Sequence, residues 1–511
     1  MKLNFNEYRD KVYACWIGKN IGGTMGTPYE GKRQINDIQG FSTEEGVILP
    51  NDDLDLQLVW LMAVERLGLN RIDSKILGEF WTSFVTPHWN EYGIGKVNMS
   101  DGLLPPMSGD AHNSWRHSNG AWIRTEVWAS LAPACPDVAI RYAYEDASVD
   151  HGTGEGTTAA VFVAALESAA FVVSDIRTLI GIALSKIPAE SRMAKSIVKV
   201  LECYDKGMDY KEAREVIRLL NADIGTGWFE APSNVSYAVI GLLWGEGDFK
   251  KSMIYAINCG DDTDCTGATV GSVLGIIGGT KVIPEDWRRH IGDDIVTISL
   301  KKGAMMDLSE KKNSTLKYTP PETCTELTDR VARIAPAIPV IFNTNVAFTD
   351  GKTEISEKEI ADLYTDAGDF VTARGDNPIS TDASKELFAR APYSFTVECA
   401  FMTATLSLES DPDVAPLEEK KVHLRIVNDV LGYGNIPYNL RFRWLTPDGF
   451  SVSGAKWARL LHRDAHSEAV TELDFTVKAP ECVDALNRIV LEITADGRPS
   501  AAYMPLVLLG K

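Results

Sequence analysis

The stretch NCGDDTDCTGATVGSVLG, residues 258–275, carries two features that decide how the first half of the chain is read. Asp261, Asp262 and Asp264 crowd three carboxylates into four positions, and Gly267, Gly271 and Gly275 follow at a spacing of four. On a helix, residues four apart share one face, so these glycines predict a stripe with no side chains along which a second backbone can approach. Glycine costs about 1 kcal/mol against alanine inside a helix, so three in register imply a packing or site requirement. Gly18, Gly22 and Gly26 repeat the spacing near the start of the chain, with a glycine-rich loop as the alternative reading of that first set.

Outward from these stripes, to about residue 300, apolar residues recur at helical intervals between Gly, Pro and Asn punctuation. Leu56, Leu58, Val59, Met62 and Ala63 suit one helix, Ala139, Ile140, Ala143 and Tyr144 another, and Lys195–Tyr204 and Ser252–Asn258 two more. Thr157–Val173 is apolar nearly all round, is interrupted by Glu167 and is short for a bilayer, which predicts the centre of a helical core. After the polar, proline-containing KKNSTLKYTPPETC (311–324) the pattern changes to alternation of period two. The runs 340–351, 394–408, 421–430, 439–449, 470–477 and 488–497 read as strands, and 356–368 as one helical interruption. The expected architecture is therefore multidomain: an all-α domain over residues 1–318, a linker over 319–335 and a β-sandwich over 336–511.

Composition narrows the function classes. Of 511 residues, 45% are hydrophobic and 24% charged, as in ordinary folded proteins, and the net charge of −20 repels nucleic-acid phosphates and anionic lipid. The expectation is a chain without nucleic-acid or membrane partners. Its first residues, MKLNFNEYRD, hold no apolar run or small-residue cleavage site, so a cytoplasmic location is expected. Eight cysteines without a C-x-x-C pair argue against a zinc framework and for small buried thiols.

A second acidic cluster, PNDDLDLQL, holds Asp52, Asp53 and Asp55 and also opens a helical pattern. Aspartates at helix starts are good N-caps, but a cap needs one carboxylate, and several close together raise one another's pKa unless a cation offsets them. Aspartate with hydroxyl or amide oxygens and no histidine is a hard ligand set that suits Mg²⁺, Mn²⁺ or Ca²⁺. Spacing alone does not say whether clusters about 210 residues apart converge. Glu30 in GTPYEG is a further candidate ligand, or else a solvated turn residue. Ser118, Asn119 and Gly120 form a turn into a helix, and His151 precedes Gly152, Gly154 and Gly156; an ordinary helix start and a packed ring are the alternatives.

Five of these pieces, in order over residues ~10 to ~280, resemble the ADP-ribosylglycohydrolase family. GKNIGGTMGTPYE is similar to its Gly-x-x-x-Gly-Asp-x-x-Gly-x-Pro-x-Glu and puts the family's glutamate on Glu30. NDDL (51–54) resembles Thr-Asp-Asp-Thr, SNGAWIR (118–124) matches Ser-Asn-Gly-Ala-x-x-Arg, and GDDTDC (260–265) resembles Gly-Gly-Asp-Thr-Asp-Thr. GTGWFEAPSNVSYAV, from Gly225, is more loosely similar to the glycine-rich substrate loop. The resemblance implies an orthogonal helical bundle in which the acidic clusters converge on two Mg²⁺ ions, with Mn²⁺ the alternative metal. It implies metal ligation by Glu30, Asn51, Asp52, Asp53, Asp262, Asp264 and the position of Cys265, with Glu30, Asp53 and Asp262 in the catalytic role. Ser118, Asn119, Gly120, His151, Gly225 and Gly227 are implied to hold the substrate, a small molecule or an ADP-ribosylated one. The implied reaction is hydrolysis of an N- or O-glycosidic bond to ADP-ribose or a ribose-like sugar. A non-enzymatic, crystallin-like carbohydrate-binding role and a two-metal phosphohydrolase are the alternatives. The β-rich portion lies outside the resemblance and is expected to bind sugar, shape the cleft or make a homo-oligomer.

The departures fall on the motifs themselves. Asn51, Leu54 and Cys265 stand where the family has threonines, Gly23 where it has aspartate, and Asp261 where it has glycine. Asn51 still offers a carbonyl oxygen, whereas the Cys265 sulfur is a poor partner for magnesium. Asp55 and Asp261 are extra carboxylates, one of which could compensate for lost metal contacts; the residues alone leave open whether either alters metal binding.

Overall fold

The two glycine stripes meet. In the computed structural model, Gly18, Gly22 and Gly26 lie on a helix, Phe5–Gly26, that runs antiparallel against the helix Thr263–Gly278. A Cβ built on Gly18 would lie 2.1 Å from the Gly271 carbonyl oxygen, one on Gly22 2.1 Å from the Gly267 carbonyl carbon, and one on Gly26 2.3 Å from the Thr263 carbonyl oxygen. The backbones are in contact, which no residue larger than glycine permits at these positions.

The structure describes residues 1–301, 318–364, 370–371, 378–379, 383–390, 393–399, 402–428, 436–462 and 469–511. They fall into two compact units, one drawn from Met1–Val97, Ser108–Phe370 and Ser380–Phe388, the other from Asn98–Met107, Val371–Ile379 and Ala389–Lys511. Within the first, the helices foreseen around residues 56–63, 139–144, 195–204 and 252–258 are Asp52–Leu67, Pro136–Ala147, Arg192–Asp205 and Phe249–Asn258. Arg192–Asp205 shows why: Met193, Ile197 and Val200 repeat at three and four residues and are buried while the opposite face is wet. Glu155–Ala170 is buried along almost its whole length, and its internal acid, Glu167, accepts a hydrogen bond from the Thr125 hydroxyl at 2.9 Å. No helix among the described residues is long and apolar enough to cross a membrane. Of the eight free cysteines, six are buried.

The polar stretch 311–324 lies partly outside the described residues, at 311–317; further on, residues 324–334 form the helix Cys324–Ile334 of the first unit. The run 340–351, expected as a sandwich strand, departs from that expectation. It begins within a helical turn, Ile338–Ile341, and holds a short strand, Ala347–Thr349, that pairs in parallel with Lys2–Asn4. The cause is aromatic packing: Phe348 sits against Phe5 and Tyr8 at ring separations of 5.9 and 5.0 Å, so its burial is satisfied by the first helix. The helical interruption is Glu357–Asp362, closed at its start by a capping box from Ser356 and Glu359; residues 365–368 of the predicted segment lie outside the described residues.

The second unit holds two five-stranded sheets. One runs Ser451–Ser453, Val470–Lys478, Glu419–Val427, Met402–Leu408, Ser394–Cys399, all antiparallel. The run 394–408 is thus a hairpin of two strands rather than one. The other sheet runs Trp457–Leu460, Tyr438–Leu445, Leu486–Ala495, Ala501–Gly510, Asp413–Val414, with only the last pair parallel. Alternate residues of both sheets, among them Leu406, Leu424, Phe475, Leu440, Leu491 and Met504, share one buried core, as period-two patterning demands.

Candidate metal centre

The stripe contact fixes the site because each helix carries part of it at one end. The first helix leads through the turn Thr27–Tyr29 to Glu30, and two backbone hydrogen bonds tie that loop to the second acidic cluster: Gly31 N–H to the Asp261 carbonyl at 2.8 Å and Asp261 N–H to the Lys32 carbonyl at 2.9 Å. The Thr263 hydroxyl donates to the Gly26 carbonyl at 2.9 Å. Gly260, at φ +79°, makes the turn between them; a side chain there would strike the Gln34 carbonyl oxygen.

The two helix starts do not use their aspartates as caps. Asn51 caps Asp52–Leu67, its Oδ1 accepting from Asp53 N–H at 2.7 Å, so the cap is not made by Asp52 or Asp53. Asp262 stands at the N-cap of Thr263–Gly278 and makes no capping bond; it accepts instead from the Asn119 amide at 2.6 Å. Two groups of ligand atoms result, Glu30 with Asp262 and Asp264, and Asp53 with Asp264 and Cys265, each with all its atoms within 4.8 Å of one another. The acidic clusters converge.

Their electrostatics call for a cation. Asp53 Oδ2, Asp262 Oδ1 and Asp264 Oδ1 are buried with no hydrogen-bond partner, a costly state for a carboxylate oxygen. Lys19 Nζ lies 3.8 Å from Asp53 Oδ2 but 2.6 Å from Glu126, so its charge is shared. The negative charge of Asp264, followed by burial, pushes the Glu30 carboxyl up to about 8, and burial with the Asp264 charge pushes Asp52 up to about 6. Burial drives Asp53, Asp262 and Asp264 upward too. Orphaned oxygens and raised proton affinities on hard ligands at two helix N-termini fit a divalent ion. Glu30 is exposed at the rim, Asp52 is half-buried, and the rest are buried.

These raised values set a pH dependence for the metal-free protein. A carboxyl whose folded pKa is raised stabilises the fold while protonated; that contribution is whole below the ordinary carboxylate range, about pH 4. It is lost as pH rises through about 6 for Asp52 and about 8 for Glu30. We expect the Tm of chelator-treated protein to fall between pH 5 and 8, and added divalent ion to restore most at the alkaline end, by roughly 3 kcal/mol at a hundredfold excess over Kd. Thermal melts across that range, with and without metal, check it.

Two further carboxylates make contacts outside the two ligand groups. Asp55 Oδ2 accepts the backbone N–H groups of Ile298 and Ser299 at 2.5 and 2.7 Å, pinning a distant segment, while its Oδ1 is buried without a hydrogen-bond partner. Asp261, at φ +66°, turns to the Asn234 amide at 3.0 Å and toward Arg33 at 3.7 Å. Asp55→Ala should cost about 2 kcal/mol of stability through those two bonds while leaving metal stoichiometry intact, which melts and metal analysis together will show.

The remaining candidates surround the cluster. His151 is fully buried, with Nδ1 2.9 Å from Asp150 and Nε2 3.3 Å from Ser118 Oγ. Asn119 is held between Asp262 and the Trp122 indole N–H. Gly120 leaves room for Glu91 and Tyr92, either of which a Cβ would strike. Gly225 and Gly227 shape a loop whose Thr226 and Gly227 N–H groups donate to Glu230, and a backbone bridge joins Glu230 to Ser118.

Several residues were not singled out from sequence. Tyr92 donates its hydroxyl to Asp52 Oδ2 at 2.9 Å, and Asn234 accepts from Asp262 N–H through Oδ1. Arg124, fully buried, pairs with Asp146 and Asp150, the latter held down to about 2 despite burial by Arg124 and His151. Lys19 had a visible signal: a lysine inside a glycine stripe on a helix flanked by Trp16, Ile17 and Ile21 must be buried, and a buried lysine needs acids.

A family model described as ADP-ribosylglycohydrolase matches residues 5–315. No individual curated protein matches the chain significantly. Among solved structures, an "ADP-ribosylglycohydrolase-related protein complex" shares 18% identity over 65% of this chain and 99% of its own, with a TM-score of 0.39. A FixG-related protein from Vibrio parahaemolyticus shares 10% identity over 22% of this chain and 96% of its own, with a TM-score of 0.18. Both superpositions are loose, and the family match stands without them.

Proposed function

Since this chain belongs to the ADP-ribosylglycohydrolase family, we propose that it is a divalent-metal-dependent glycohydrolase that cleaves an N- or O-glycosidic bond to ADP-ribose or a related ribose-like sugar. The observation that carries this reading is the set of three buried carboxylate oxygens without a hydrogen-bond partner on Asp53, Asp262 and Asp264, brought together from opposite ends of the helical unit's sequence. The residues that would hold metal are Glu30, Asp52, Asp53, Asp262 and Asp264, with Asn51 and Cys265 beside them. Bound there, Mg²⁺ or Mn²⁺ supplies charge neutralisation, orientation of vicinal hydroxyls and an acidified water.

The chain's own part follows from its geometry. Asn119 and Tyr92 fix the carboxylates of Asp262 and Asp52 by donating to one oxygen of each, and Asp262 keeps its other oxygen without a hydrogen-bond partner. Glu30, the exposed member of the group, is the carboxylate placed to accept a proton from an attacking water as the anomeric bond breaks. The loop around Gly225 and Gly227 and the turn at Ser118–Gly120, joined through Glu230, border the site where the rest of the substrate would lie.

The test is a hydrolysis screen over ADP-ribosyl protein, ADP-ribose derivatives, nucleosides and simple furanosides, with Mg²⁺ and with chelator, read by product mass. Release of the free sugar in the presence of metal supports the reading. Release of phosphate instead would make the centre a phosphohydrolase, and turnover unaffected by chelator would contradict the metal's role.

A further inference from the structure

We propose that the centre is asymmetric: Glu30, Asp262 and Asp264 form an all-oxygen position for a hard divalent ion, while Asp53, Asp264 and Cys265 form a sulfur-containing position that selects a first-row divalent transition ion. The two ligand groups differ in composition and have Asp264 in common. In the second group the Cys265 Sγ lies 3.4 Å from Asp53 Oδ1, and both residues are buried. The thiol donates to Asp53 Oδ1, while Asp53 Oδ2 and Asp264 Oδ1 are buried and have no hydrogen-bond partner, so each carboxylate keeps one open ligand atom beside the sulfur.

The chemistry of the donors sets the preference. Magnesium takes oxygen ligands in near-ideal octahedra and binds sulfur poorly, whereas thiolate in a mixed sulfur and oxygen set suits Mn²⁺, Fe²⁺, Co²⁺ or Zn²⁺. On binding, the S–H bond breaks, its proton leaves to solvent and a sulfur–metal bond forms. A thiolate also brings a negative charge that a hydroxyl would not, next to the Asp53 carboxylate whose own charge is shared with Lys19. The remaining cysteines are kept out of the centre: among the described residues, neither ligand group includes Cys15 or Cys259, although both are buried in the same helical unit.

This inference rests on the reading that the carboxylates hold metal at all, and Co²⁺ tests the two separately. Co²⁺ is titrated into metal-free, full-length protein while metal stoichiometry and the near-ultraviolet thiolate-to-cobalt charge-transfer band are followed in wild type, Cys265→Ser and Asp264→Asn. Bound cobalt with the band in wild type, and bound cobalt without it in Cys265→Ser, is the expected result; Asp264→Asn should lose both. Cys265→Ser should also lower the ratio of Co²⁺ to Mg²⁺ affinity by about tenfold or more. Stoichiometric cobalt with no band in wild type, or a band that persists in Cys265→Ser, overturns the asymmetric centre and leaves the metal reading standing. No bound cobalt or magnesium in wild type overturns both. The wild-type spectrum decides the matter even if a variant fails to fold.

Discussion

Gly22→Ala should cost about 3 kcal/mol or more and take metal binding with it, the largest effect expected from adding a single methyl group to this chain. The new Cβ would lie 2.1 Å from the Gly267 carbonyl carbon and 2.2 Å from its oxygen, contacts that only separation of the two helices can relieve. Alanine gains about 1 kcal/mol over glycine in helix propensity, so a measured loss is the overlap less that gain. Separation would also shift Glu30 and Asp264, which sit at the same end of the helix pair, so metal affinity should fall with stability. Denaturant melts and a metal titration on the same sample measure both. The contrast is Gly207→Ala: Gly207, at φ +66°, has nothing within 4 Å of a built Cβ, so substitution there carries backbone strain but should leave metal binding unchanged.

Asp262→Asn should reduce metal-dependent turnover by about a thousandfold or more while the chain stays folded, because it removes a ligand charge from the all-oxygen position and makes no new clash. Asp262 has one oxygen occupied by the Asn119 amide and one free, so an amide that keeps its carbonyl toward Asn119 fits the pocket and turns an NH2, which cannot ligate a cation, toward the metal position. In metal-free protein the same change replaces a titratable buried carboxyl with a neutral amide in a crowded cluster whose carboxyls burial drives upward. The metal-free variant should therefore melt at or above the wild-type temperature at pH 8, and should lose the stabilisation that added metal gives wild type. Unchanged turnover in this variant would remove Asp262 from the chemistry.

Much of this was legible in residue patterns because the physics involved is local. The glycine spacing predicts a side-chain-free face, and the faces meet; helical periodicity up to about residue 300 and alternation after about 394 follow from which side of each element is buried. Convergence of the acidic clusters was not legible from spacing, since it depends on the packing of three helices, Phe5–Gly26, Asp52–Leu67 and Thr263–Gly278, that lie far apart in sequence. Asp55 and Asp261 show the limit most clearly. By position each looks like a member of its cluster, but Asp55 turns to backbone amides at residues 298–299, and the positive φ of Asp261 turns its carboxylate to Asn234. The run 340–351 alternates like a sandwich strand, yet its Phe348 packs on the first helix; alternation marks a half-buried strand without naming its partner.

The central claim is that carboxylates from residues 30, 52–53 and 262–264 form one divalent-metal centre. An anomalous difference map from crystals grown with Mn²⁺ tests it most directly. The structure predicts a peak bounded by Glu30, Asp262 and Asp264, with any second peak bounded by Asp53, Asp264 and Cys265. A map with no peak among these side chains, at a manganese concentration that supports turnover, would contradict it.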